Sequence, residues 1–401
     1  MTKVVLAFSG GLDTSYCVKY LSQEKGLEVH SAIVNTGGFS EVELEEIEAK
    51  AYSLGVKSHV CLDETDNYYQ NCIKYLVFGN ILRNGTYPLS VSSERMFQAM
   101  ASIKYAQLIG AKYIAHGSTG AGNDQVRFDM AFQILAPEIE ILTPIRDQKL
   151  SRQAEIEYLQ NLGVKGNWEK SLYSINKGLW GTSVGGKETL TSNEGLPSEA
   201  FPSQLQENEP SDLELEFVKG ELKGVNGVYF EDSVAAIQEV EKIGSAYAIG
   251  RDIHVGDTII GIKGRVGFEA AASTLILKAH HLLEKHTLSK WQLHWKEQLG
   301  NWYGMLLHEG QYLEPVMRDI EVFLDNSQET VSGKVFIKLF PYRFELQGIE
   351  SPHDLMSAKF GSYGEMNKAW TADDAKGFIK ILGTPLKIHQ AVNGGRLTTD
   401  D

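Results

Sequence analysis

A chain of 401 residues, 42% hydrophobic and 22% charged, has the make-up of a soluble globular protein and is too long for one hydrophobic core, so two or three domains are expected. A formal net charge of −14 argues against a general nucleic-acid or membrane surface while leaving room for a local basic pocket. The three cysteines, Cys17, Cys61 and Cys72, cannot all pair and form no C-x-x-C pattern, which fits a reducing compartment and no zinc or other metal site.

The first apolar run, Val4 to Phe8, is only a strand long. It is too short for a signal peptide or a membrane span, and a cytoplasmic protein is expected. It leads into Ser9-Gly10-Gly11-Leu12-Asp13-Thr14-Ser15 and then into a helical pattern from Tyr16 to Leu21. A strand, a glycine turn and a helix start make an anion site. The glycines let backbone amides approach a ligand, Ser9, Thr14 and Ser15 add hydroxyl donors, and the helix supplies unpaired N–H groups at the positive end of its dipole. A phosphate is the expected ligand. A Walker loop would place a lysine after its glycines, where Leu12-Asp13 stands here, and two adjacent glycines do not make the three-glycine dinucleotide fingerprint. The plainer alternative is an ordinary strand-to-helix turn.

Strand and helix signals then alternate in the manner that builds a parallel sheet. Glu28 to Asn35 reads as a strand, Glu41 to Leu54 as an amphipathic helix closed by Gly55, and Lys57 to Cys61 as a strand. A helical stretch from Asp66 to Leu82, a turn at Asn84-Gly85 and a helix from about Ser93 to Ile109 follow. Lys112 to His116 and Ile139 to Ile145 are the next strands, and Ser151 caps a helix ending at Leu162-Gly163. The expectation is a doubly wound α/β domain over residues 1–165, with the segments after Phe8, Asn35 and His116 sharing one crevice at the carboxyl ends of the strands.

The segment after His116, Gly117-Ser118-Thr119-Gly120-Ala121-Gly122-Asn123-Asp124-Gln125-Val126-Arg127, alternates glycines with polar residues and then gathers amide, carboxylate and guanidinium groups. That mixture suits an amino acid's ammonium and carboxylate. Asp124 is the candidate ammonium partner, and Thr119, Asn123 and Arg127 offer donors to carboxylate or urea oxygens. A flexible solvated loop is the alternative.

Beyond about residue 165 the pattern changes. Gly166 to Gln206 is rich in Gly, Ser, Thr and Asn, and a loop so long is usually functional or disordered. Leu213 to Leu222, Gly227 to Phe230 and Thr258 to Val266 read as strands, Ser233 to Ile243 and Ala272 to Gly300 as helices, and Lys334 to Leu346 as a hairpin broken at Pro341. An α+β domain is expected over 166–350. The last segment, 351–401, mixes helical runs with apolar residues and is expected to dock on something.

S-G-G-L-D-T-S resembles the pyrophosphate loop of the N-type ATP pyrophosphatases, which cleave ATP between its α and β phosphates. Together with H-G-S-T-G-A-G-N-D-Q-V-R-F it closely resembles the argininosuccinate synthase family, over most of the chain. The resemblance implies an adenine nucleotide alpha hydrolase-like sheet domain, a synthetase domain and an oligomerisation tail. It also implies ATP with Mg²⁺ as substrate, condensation of citrulline with aspartate, and a homotetramer, while the acidic balance leaves no nucleic-acid or membrane partner expected. Matched residue by residue, Ala7, Phe8, Ser9, Gly10, Gly11, Leu12, Asp13, Thr14, Ser15, Val34 and Gly117 fall on ATP positions. Thr119, Asn123 and Asp124 fall on aspartate positions, and Tyr87, Ser92, Asn123, Arg127, Ser174 and Ser183 on citrulline positions. Asp13 and Asp124 are the catalytic candidates.

The chain also departs from the family pattern. The lysine of T-G-K-G-N-D is Ala121, S-x-E-x-G becomes Ser183-Val184-Gly185, and the glutamate and tyrosine that complete the citrulline site align with Gly256 and Phe268. Asp257, Lys187 and His254 are candidates to cover the lost polar contacts. The rival readings are a tRNA-thiolating or amidating ligase with the same loop, and a nucleotide sensor on the same fold.

Overall fold

The computed structural model describes residues 1–166, 173–357 and 369–394. Parts of the expected Gly166 to Gln206 segment (167–172) and of the tail (358–368 and 395–401) lie outside the described residues. Strands β1 (Lys3–Ala7), β2 (Glu28–Asn35), β3 (Ser58–Asp63), β4 (Tyr113–Ala115) and β5 (Glu140–Leu142) form one sheet in the order β3-β2-β1-β4-β5. All its pairings are parallel. Val4, Val5 and Leu6 of the central β1 are fully buried, as a strand covered on both faces requires. Chain order reverses between β1 and β4, so the crevice lies beyond their carboxyl ends.

Helices flank the sheet, and their boundaries follow local chemistry. Helix Glu41–Leu54 opens with a reciprocal cap, in which Ser40 Oγ accepts from Glu43 N–H at 3.3 Å and Ser40 N–H donates to Glu43 Oε2 at 2.9 Å. It closes at Gly55 with φ 94°. The helix expected from Ser93 starts at Ser90, after Leu89 in the left-handed region at φ 61°.

The rest of the chain adds β6 (Ser174–Gly178), β7 (Gly181–Gly185), β8 (Ser211–Val218), β9 (Glu221–Val225), β10 (Val228–Tyr229), β11 (Arg251–Asp257), β12 (Lys263–Glu269), β13 (Gly333–Phe340) and β14 (Arg343–Glu350). They build a five-stranded sheet β10-β9-β8-β13-β14 and a four-stranded sheet β11-β12-β7-β6, both antiparallel. One buried cluster runs from Val5 and Ile114 of the parallel sheet through Phe97 to Leu215, Leu275, Tyr303 and Leu339. Residues Met1–His353 accordingly form one compact unit, and Asp354–Asp401 a second with the short helices Ala372–Leu382 and Thr384–Asn393. Among the described residues no helix is long and apolar enough to cross a membrane.

Several expected elements are redrawn. The helix read over Ala272 to Gly300 is two, Ala271–Thr287 and Lys290–His308. Ser289 and Gln292 form a capping box that restarts the chain after Leu288. Of the strand read over Thr258 to Val266, the first part is the turn joining β11 to β12, closed by Thr258 N–H donating to Ile262 O at 2.8 Å. The long loop contains the β6–β7 hairpin. The polar segment after His116 ends in a helix, Asp124–Leu135.

Candidate active site

The ends of β1 and β4 open onto a cleft of about 1030 Å³. In the loop after β1, Gly10 sits at φ 74°, which a side chain rarely tolerates. Gly11 stands at the N-cap of helix Leu12–Lys19 without any side-chain cap, so among the described residues the first-turn N–H groups receive no cap from the N-cap position. Ser15 Oγ donates back to Gly11 O at 2.6 Å and shapes the loop itself. A cation reaches the loop from elsewhere: Lys50, on helix Glu41–Leu54, donates to Gly10 O at 2.5 Å, and burial lowers its pKa. The loop after β4 touches the first one, because a Cβ on Gly117 would stand 3.2 Å from Asp13 Cβ and 3.3 Å from Thr14 N. Behind the loop Asp13 faces Glu155, which is 2% exposed. Burial, then the charge and hydrogen bond of Asp13, push Glu155 up to about 8, so at neutral pH it is a protonated acid beside Asp13.

The opposite wall carries a chain of charges. Asp124 opens its helix and accepts from Arg95 Nε at 3.0 Å on Oδ2 and from Arg127 Nη1 at 2.9 Å on Oδ1. Burial raises its pKa, but the two guanidiniums outweigh that and hold the carboxyl below the usual range. Arg127 also donates through Nε and Nη2 to the His308 carbonyl, at 3.1 and 2.8 Å. Arg95 Nη1 donates to Glu94 Oε1 and Thr36 Oγ1 donates to Glu94 Oε2, both at 2.6 Å. For Glu94 burial wins over Arg95 and pushes the carboxyl up to about 7. At the end of β4, His116 accepts from Ser118 N–H on Nδ1 at 3.1 Å, so Nε2 carries the proton that it donates to Asp129 at 2.8 Å.

Most residues singled out in the sequence come together here. Ala7, Phe8, Ser9, Gly11, Leu12, Asp13, Thr14, Val34 and Gly117 line the cleft, whereas Gly10 and Ser15 do not. Thr119, Asn123 and Asp124 line it too, with Asn123 Oδ1 accepting from Ile259 N–H at 2.8 Å. Tyr87, Ser92, Arg127, Ser174 and Ser183 also line it. The Tyr87 hydroxyl accepts from Val91 N–H at 3.2 Å, and its ring lies 5.3 Å from His254 and 5.4 Å from Phe268. Gly256 faces the cleft, and a Cβ there would stand 2.6 Å from His254 Nε2. Of the three candidate substitutes, His254 and Asp257 line the cleft and Lys187 does not. Asp257 is paired with Lys263 at 2.5 Å on an exposed rim.

Sequence reasoning passed over Glu94, Asn176, Arg265 and His308, all of which line the cleft. Glu94 carried a signal, a carboxylate directly before an arginine in a stretch with no other charge between Arg83 and Lys104. The others carried none, because strand pairing and helix packing alone bring them in.

A sequence model described as the arginosuccinate synthase N-terminal HUP domain matches residues 3–165, and one described as the C-terminal domain matches residues 173–389. Among curated relatives, the argininosuccinate synthase of Dictyoglomus turgidum is 37% identical over 397 residues, 98% of each chain. That of Xanthomonas campestris pv. campestris is 36% identical over 397 residues, covering 97% of this chain and 98% of the relative. The argininosuccinate synthase of Methanocaldococcus jannaschii is 35% identical over 389 residues, covering 96% and 97% respectively.

Proposed function

The chain belongs to the argininosuccinate synthase family, ATP-using ligases of arginine biosynthesis, and from that premise we propose that it condenses citrulline with aspartate, through a citrulline adenylate, releasing AMP and pyrophosphate. The observation that carries the reading is one cleft lined both by the phosphate loop and by the Asp124 charge cluster. In this reading ATP enters with Mg²⁺ as part of the substrate, and its β and γ phosphates lie on the loop from Ser9 to Ser15, against free first-turn N–H groups. Val34 and Gly117 flank the nucleotide. The ureido oxygen of citrulline, held among Tyr87, Ser92, Asn123, Arg127, Ser174 and Ser183, attacks the α phosphorus and pyrophosphate leaves.

The amine of aspartate then attacks the ureido carbon and AMP is expelled. Thr119, Asn123 and Asp124 hold aspartate, and Asp124 orients the amine. Its carboxylate suits that role, being ionised, fixed by two arginines and 39% exposed. Asp13 orders the loop around the departing pyrophosphate. The protein's contribution is positioning and charge stabilisation.

Pyrophosphate release from ATP, measured with each amino acid omitted in turn, tests the reading. Release should require citrulline. Citrulline-independent release, or none with both amino acids present, rejects it. The same reading extends to a cytoplasmic homotetramer, and sedimentation of the purified chain as a monomer would reject that part.

A further inference from the structure

We propose that Glu94 is a positioning residue that sets the charge felt at Asp124, and so the affinity for aspartate, through Arg95. This rests on the reading of Asp124 given above. Glu94 is 1% exposed on a helix wall facing the cleft, where an unpaired carboxylate would be costly. Both its oxygens are engaged, one by Thr36 Oγ1 and one by Arg95 Nη1. The backbone of β6 passes so close that a Cβ on Gly178 would overlap Oε2. The carboxylate therefore has one position. From it, Arg95 is aimed at Asp124 through Nε and at Asn176 Oδ1 through Nη2 at 3.3 Å.

Charge counting gives the consequence. Glu94, Arg95, Asp124 and Arg127 sum to zero when Glu94 is ionised and to one positive charge when it is protonated. An ammonium docking on Asp124 meets a neutral cluster in the first case and a cationic one in the second. Among the described residues, the charged groups facing Glu94 are Arg95 on its own helix and Asp124 on the next, with Arg127 beyond. Lys177 of β6 is committed to Glu43 at 2.6 Å, and Thr36 and Tyr87 are neutral. Burial holds the Glu94 carboxyl near neutrality, so the switch falls within the working pH range. Thr36 follows β2, whose Val34 lies on the nucleotide side, so the same hydrogen bond ties the aspartate end to that strand.

The test varies aspartate at saturating ATP and citrulline from pH 6 to 8.5, for the wild type, Glu94→Gln, Thr36→Val and Asp124→Asn. Citrulline-dependent pyrophosphate release without aspartate is measured alongside. In the wild type the aspartate KM should rise about tenfold, the worth of one pKa unit, as pH falls through 7. Glu94→Gln should show the raised KM at every pH with that limb flattened, and citrulline-dependent pyrophosphate release should change much less than the aspartate KM. Thr36→Val removes a hydrogen bond favouring the ionised form and should move the limb to higher pH, which a merely structural role would not do. If Asp124→Asn raises the aspartate KM but Glu94→Gln matches the wild type in level and pH dependence, the inference falls and the Asp124 reading stands. A loss of kcat alone in Glu94→Gln also overturns it. If Asp124→Asn leaves the aspartate KM unchanged, both fall.

Discussion

One end of the cleft, where the proposed function places the phosphates, is made mostly by one short stretch that includes Phe8, Ser9 and Gly11 to Thr14, whose shape is set by backbone geometry. The other end, proposed for the amino acids, is assembled from residues as far apart as Tyr87, Asp124, Asn176, His254 and His308, several of which are charges that fix one another. Damage should therefore spread differently. Under the proposed function, a change in backbone spacing at the first end should slow pyrophosphate release and spare the amino-acid contacts. At the second, a change at one charge should be felt by the groups paired with it.

The sharpest way to break this contrast is Gly117→Val. The new side chain must push apart the loops after β1 and β4, since even a Cβ would be 3.2 Å from Asp13 Cβ, and a displacement near 1 Å costs about a hundredfold in rate. Pyrophosphate release should fall by about that factor, while the aspartate KM stays near the wild-type value. Normal turnover would mean that contact between the loops does not set the phosphate geometry. Arg127→Lys comes next. The planar fork bonds Asp124 and the His308 carbonyl together, which a lysine point charge cannot reproduce. Loss of a charge-assisted hydrogen bond worth about 1.5 kcal/mol gives roughly tenfold. That loss should appear in both the citrulline and the aspartate dependence, and an effect on one substrate alone would show the cluster to be two separate sites.

The same contrast explains what could be read from the chain. The strand–turn–helix geometry of the loop after β1 was legible because every part of it is local: an apolar strand, Gly10 at positive φ, and a helix start within a few residues. The parallel sheet was legible for the same reason, its alternation of periods surviving without tertiary help. Lys50 was not, because a helix running back along the sheet brings it to Gly10 O from 40 residues away. The helix at Asp124 was hidden because Asn123 gives no side-chain cap and the glycines before it read as loop. Strand β11 escaped because its pairing with β12, from Arg251 opposite Glu269 to Asp257 opposite Lys263, is what makes so polar a segment extended. Yet β11 is what brings His254 and Gly256 to the cleft.

A third prediction probes that contribution. The glutamate that the family resemblance aligns with position 256 cannot simply be introduced, because a Cβ at Gly256 would stand 2.6 Å from His254 Nε2 and the imidazole is 5% exposed and stacked on Tyr87. Gly256→Glu alone should destabilise the protein by about 1 to 3 kcal/mol, as overpacking does, seen as a lower urea midpoint and a higher citrulline KM. Adding His254→Ala should recover most of the midpoint. No recovery would mean that the two positions are not exchanging the same space.

The smallest expected effect lies behind the phosphate loop and is read in stability as a function of pH. Glu155 is held up to about 8, chiefly by burial and then by Asp13, whereas an unfolded chain releases that proton near 4.3. Between about pH 4.5 and 8 the folded state thus binds more protons than the unfolded state, and stability must fall as pH rises through that window. Glu155→Gln keeps the shape and has no proton to lose. Urea unfolding of the wild type and the variant at pH 5, 6.5 and 8 should give similar free energies at pH 5. At pH 8 the variant should be ahead, the direction required of a carboxyl that keeps its proton above about 4.3 only in the folded state. Because Asp13 is the partner, the variant should also keep the loop in place, with pyrophosphate release within about twofold of the wild type. Parallel pH dependences for the two proteins would mean that Glu155 is ionised in the folded state, with its charge balanced by a cation such as Arg152.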